Sequence, residues 1–88
     1  MEKSDIVNDL SRLQWACRRG MLELDVLLGN FLKEAYPALS MADKCLFIEL
    51  LEHQDPEIYA WLMGHEVPPD ESMQHITETI RRHVQSRF

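Results

Sequence analysis

No apolar run in this chain of 88 residues approaches the roughly 20 needed to cross a bilayer as a helix. Glycine and proline are scarce, at three and four, and the hydrophobic share of 45% excludes a low-complexity or disordered chain. Cysteine occurs only as Cys17 and Cys45, each inside an apolar helical pattern. With no secretory leader in view, two reduced, buried thiols are expected rather than a disulfide. The opening Met-Glu-Lys-Ser-Asp matches neither a signal peptide nor an arginine-rich transit peptide, so a cytoplasmic location is expected. Positive charge is in deficit, nine basic against fifteen acidic side chains for a net −6. Phosphate backbones and anionic lipid repel such a surface, so neither nucleic acid nor membrane insertion is expected. The basic groups do cluster, with Arg12, Arg18 and Arg19 in one place and Arg81, Arg82 and Arg87 in another.

Catalytic signatures are missing as well. His53, His65, His75 and His83 form no His-x-x-x-His pair, and the cysteines form no Cys-x-x-Cys, so no metal site is expected. There is no Gly-x-Ser-x-Gly, phosphate loop or dinucleotide fingerprint. A chain this short buries only roughly 60–65% of its unfolded surface, which leaves little room for a water-excluding cleft. The expectation is no catalytic residue, no stably bound cofactor and no autonomous enzyme.

What is present is helical periodicity along residues 1–88, read as a single all-α domain of about five short helices. Helix one is expected over about 5–18, capped by Ser4 with Asp5 at its positive end, on the stripe Ile6, Leu10, Leu13 and Cys17. Arg18–Arg19 suit its C-terminus, and Gly20 the residue beyond. Helix two is expected over about 21–35, with Leu24, Leu27, Leu28, Phe31, Leu32 and Ala35 making a wide apolar stripe. Gly29 weakens it unless it marks a close crossing. Pro37 pushes Tyr36 out of helical geometry and ends the element. Ser40 is expected to cap helix three, which presents Leu46, Phe47, Leu50 and Leu51. Asp55-Pro56 reads as N-cap and first position of a short helix four that buries Ile58, Leu62 and Trp61 and stops at Gly64. The last helix, about 70–86, carries the narrow stripe Met73, Ile76, Ile80 and Val84.

The stretch Trp15 to Asp25 holds more charge than a helix connection needs: Arg18, Arg19, Glu23 and Asp25 surround Gly20. Two readings stay open. In one, arginines cap helix one, Gly20 permits a left-handed turn, and Glu23 and Asp25 complement the dipole of helix two. Arg19 and Glu23 would then form an exposed pair worth ~0.2–1 kcal/mol. In the other, Gly20 lets a partner's backbone approach while the arginines and Glu23 offer charge-assisted hydrogen bonds and Trp15 an aromatic anchor, with Arg12 and Asp25 nearby. A DNA-binding helix-turn-helix fits the outline, but Glu23, Asp25 and Glu34 against Lys33 make its second helix too acidic.

Trp-Ala-Cys-Arg-Arg-Gly-Met-x-Glu-Leu-Asp, followed by Tyr36, Leu39, residues 47–51, Asp55-Pro56 and Trp61-Leu62, resembles the succinate dehydrogenase assembly factor E (flavinylation factor) family over about residues 12–64. That resemblance implies a small five-helix protein that binds the flavoprotein subunit of succinate dehydrogenase, and in bacteria that of fumarate reductase. It implies that the protein promotes covalent attachment of FAD to a histidine of that subunit. The family's Arg-Gly-x-x-Glu motif falls on Arg19, Gly20 and Glu23, expected as the partner-binding surface, while Leu22 and residues 65–88 inherit nothing. FAD would belong to the partner. Bacterial members have also carried an antitoxin label, so an antitoxin-like or general interaction adaptor is the alternative.

Overall fold

The computed structural model of the chain describes residues 6–87. Among the described residues five α-helices of seven residues or more follow one another, α1 Leu10–Ala16, α2 Leu22–Glu34, α3 Met41–Leu51, α4 Asp55–Leu62 and α5 Glu71–Arg87, with a 3-10 turn Tyr36–Ala38 after α2. This is the all-α fold that the periodicity predicts, with no strand among the described residues.

The first element is shorter than its stripe suggests, and the expected caps Ser4 and Asp5 lie outside the described residues. Asp9 opens α1 by accepting the Arg12 N–H at 3.1 Å. A short acidic side chain that bonds the backbone of a following turn competes with continuous helix, so α1 starts about five residues later than expected. The register also shifts: Val7, Leu13 and Cys17 are buried, whereas Leu10 faces solvent.

Helix α2 carries the centre of the core, with Leu24, Leu28 and Phe31 fully enclosed. Each such side chain contributes roughly 1.5–3 kcal/mol by leaving water. Gly29 marks no close crossing, since nothing lies within 4 Å of where its Cβ would stand. It borders an open cleft between α1 and α2 instead, lined also by Leu10, Cys17, Arg18, Asp25 and Leu32. After α2 the chain tightens rather than leaving helical geometry, and Tyr36 and Pro37 share the 3-10 turn. Tyr36 is buried and donates its hydroxyl to the Val7 carbonyl at 2.8 Å, tying the segment before α1 to the end of α2.

Ser40 caps α3 as expected, accepting the Asp43 N–H at 3.1 Å. Helix α4 starts one residue earlier than expected: Gln54 is the N-cap, Asp55 the first helical residue and Pro56 the second. Glu57 accepts the Gln54 N–H at 3.5 Å. At the far end Gly64 adopts φ 78°. There His65 N–H reaches the Ala60 carbonyl at 2.8 Å and Gly64 N–H reaches that of Trp61 at 3.2 Å, a Schellman closure. Asp70 caps α5 through the Met73 N–H at 2.8 Å. Met73, Ile76 and Ile80 of α5 close the core against α2, α3 and α4.

Candidate functional site

The turn between α1 and α2 is built around Arg19. An arginine offers five N–H donors in a rigid fork. The Arg19 side chain makes four bonds, to Asp55 Oδ1 from Nε at 2.6 Å, to the Ala16 and Leu51 carbonyls at 2.9 Å each, and to the His53 carbonyl at 2.7 Å. Ala16 and Leu51 are the last residues of α1 and α3. Carbonyls there have no partner inside their own helix, so one guanidinium closes two helix ends and the entry to α4. Its side chain is accordingly 14% exposed.

Two carboxylates hold the backbone of the same turn. Asp25, in the first turn of α2, accepts the Arg19 N–H. Asp55 accepts the Gly20 N–H through Oδ2 at 3.3 Å. The Arg19 hydrogen bond holds the Asp55 carboxyl below its ordinary value, against an opposing effect of partial burial. Cys17 sits just beneath, where burial pushes its thiol up to about 12, partly countered by Arg19 and reinforced by Asp25. A thiol so protonated is no nucleophile at physiological pH.

The residues expected to bind a partner therefore divide. Arg19 points inward and pairs with Asp55 rather than Glu23. Gly20 is exposed, has nothing within 4 Å of where a Cβ would stand and does not adopt a left-handed φ. The left-handed turn expected of it is absent: among the described residues only Gly64 has positive φ. Nothing among the described residues requires glycine at position 20. Glu23 is exposed and has no hydrogen-bond or ion-pair partner among the described residues. Trp15 is 72% exposed, with the Arg18 guanidinium carbon 5.6 Å from its ring centroid. Arg12 lies elsewhere, lining a separate hollow together with Ile48, Leu51 and Glu52.

Sequence reasoning passed over two contributors. Asp55 read as a helix cap, and nothing local reveals a bond to Arg19. Leu22 and Val26 were the other omission. They stand one turn apart on α2, opposite the Leu24–Leu28 face, and with Glu23, Leu27 and Met63 form a shallow apolar hollow of about 370 Å³. Two exposed apolar residues spaced i, i+4 off the core stripe were the available signal. Among the described residues no group of three or more His, Cys, Asp or Glu side chains is placed to hold a metal ion.

Fold and site describe a small helical domain that presents a braced, charged surface turn beside an apolar patch. The family described as "flavinator of succinate dehydrogenase" matches residues 11–84. The FAD assembly factor SdhE of Shewanella oneidensis is 53% identical over 73 residues, covering 83% of this chain and 89% of that protein. Its counterpart in Colwellia psychrerythraea is 53% identical over 74 residues, 84% of this chain and 81% of that one. The Serratia protein of the same name is 40% identical over 81 residues, 92% of each. The chain belongs to the succinate dehydrogenase flavinator family.

Proposed function

We propose that this chain is an assembly factor that binds the flavoprotein subunit of succinate dehydrogenase, or its fumarate reductase counterpart, and promotes covalent attachment of FAD to a histidine of that subunit. Family membership and the names of the relatives support the reaction class. The observation that carries the surface is the exposed turn itself, where Gly20 leaves open space beside Glu23, which has no partner among the described residues.

FAD belongs to the partner in this reading, as does the histidine that the flavin joins. Joining a histidine nitrogen of that subunit to the flavin 8α carbon would release two protons, one from the methyl group and one from the imidazole, and two electrons, which would pass to an external electron acceptor. This chain's part is to hold the FAD-loaded, immature subunit in a geometry that favours the attack. Gly20 lets the partner's backbone come close, Leu22 and Val26 supply apolar contact, and Glu23 accepts hydrogen bonds. Glu23 positions rather than abstracts a proton, because a solvent-exposed carboxylate lacks the enclosed setting of a general base.

The test is flavinylation in a reconstituted pair with Glu23→Ala and Glu23→Gln. Alanine is expected to lose most of the covalent flavin and glutamine to retain much of it, since an amide oxygen still accepts a hydrogen bond. Wild-type yield with alanine removes Glu23 from the site. Equal loss in both variants makes the negative charge, not the hydrogen bond, the working feature.

A further inference from the structure

We infer that Asp55 is a positioning residue for the docking turn, its carboxylate bridging the Arg19 side chain and the Gly20 N–H so that Gly20 and Glu23 are presented to the partner in one fixed arrangement. This rests on the docking role proposed above for the turn.

Asp55 stands at the start of α4, and its own helix does not use its carboxylate. Gln54 occupies the N-cap position, and Glu57 receives the Gln54 N–H. Both Asp55 oxygens are turned to the other end of the site, Oδ1 to Arg19 Nε at 2.6 Å and Oδ2 to Gly20 N at 3.3 Å. The chain just before it completes a socket, since the Leu51 and His53 carbonyls take the remaining ends of the same guanidinium. Without Asp55 the backbone of the turn would be held by Asp25 alone, at the Arg19 N–H, and the Gly20 N–H would have no acceptor among the described residues. Asp55 is the one group that grips that side chain and the backbone of the next residue together.

Charge is what the bridge needs. A guanidinium and a backbone N–H are both donors, so the acceptor between them must offer lone pairs on both atoms, which a carboxylate does. Asparagine offers one oxygen and places an NH2 against a donor. The core side chains Leu24, Leu28 and Phe31 are untouched by the change, so it loosens the turn without unmaking the fold.

The experiment measures affinity for the FAD-loaded flavoprotein subunit and covalent flavin yield, below the melting temperature of every variant. Asp55→Asn is expected to bind about tenfold more weakly, the scale of one lost charge-assisted hydrogen bond. In an Arg19→Gln background the same change is expected to add less than about twofold, because the bridge is already gone. Ser40→Ala, which removes the α3 cap far from the turn, sets what lost stability alone does: lower melting, unchanged binding. Asp55→Glu keeps the charge but displaces it by a methylene, and is expected to melt like wild type yet bind more weakly. Wild-type binding by both Asp55 variants, with Glu23→Ala defective, overturns the inference and leaves the docking surface standing. Additive losses in Arg19→Gln and Asp55→Asn also overturn it. Wild-type binding and yield by Glu23→Ala instead overturn the docking role itself.

Discussion

At the scale of the residue, the sequence and the structure assign different work to one arginine. Beside Gly20 and Glu23 in the chain, Arg19 reads as a surface contact. In three dimensions it is the most heavily bonded side chain of the turn, closing the ends of α1 and α3 and pairing with Asp55. Its loss would act through the turn's shape. The Arg19–Asp55 pair also sets an acid sensitivity whose sign is fixed. The Asp55 carboxyl titrates below its ordinary 3.8 in the folded chain, held down first by the Arg19 hydrogen bond. A group depressed on folding contributes stability above its unfolded value and loses it as pH falls through the folded one. The difference in stability between wild type and Asp55→Asn should therefore stay constant from neutrality to about pH 5. It should shrink below the ordinary value. Chemical denaturation across pH 2–7 checks this; a difference that grows on acidification reverses the sign and the assignment.

At the scale of the element, short polar side chains decide where helices begin. Ser40 and Asp70 cap α3 and α5. Asp9 opens α1 at a point that apolar spacing cannot register, because Ile6, Leu10, Leu13 and Cys17 continue in step across it. Gly64 ends α4 in the one left-handed conformation among the described residues. The segment before α1 has another anchor, the buried Tyr36 hydroxyl on the Val7 carbonyl. Tyr36→Phe keeps the ring against Phe47 and strands a carbonyl, so a loss of about 1–3 kcal/mol is expected by denaturant titration. A loss below about 0.5 kcal/mol would mean that water reaches Val7 and the anchor is dispensable.

At the scale of the whole molecule, the five helices α1 to α5 enclose one core, and their order and, α1 apart, their approximate extent were legible because helical burial leaves a repeating apolar mark. Leu24, Leu28 and Phe31, like Phe47 and Leu50, are spaced by the helix and buried by it. The site was legible in part. Gly20, Glu23 and Trp15 stand out as residues that no helix stripe claims, and they are exposed. The bridge from Arg19 to Asp55 was not legible, since it joins residues 36 apart in the chain and periodicity carries no information about which helix ends meet. For the same reason Asp55 looked like the cap of its own helix, a local role that Gln54 takes.

The central claim is that the turn at Gly20 meets the flavoprotein subunit. It is tested most directly by in-gel fluorescence of covalently bound flavin after mixing that subunit, loaded with FAD, with the wild-type chain or Gly20→Leu. Among the described residues nothing lies within 4 Å of where a Cβ at position 20 would stand, and the backbone needs no left-handed φ, so the variant should melt like wild type. Fluorescence that rises with wild type and stays near the level of the subunit alone with Gly20→Leu is the expected result. Full fluorescence with the variant, or collapse of its fold, would contradict the account.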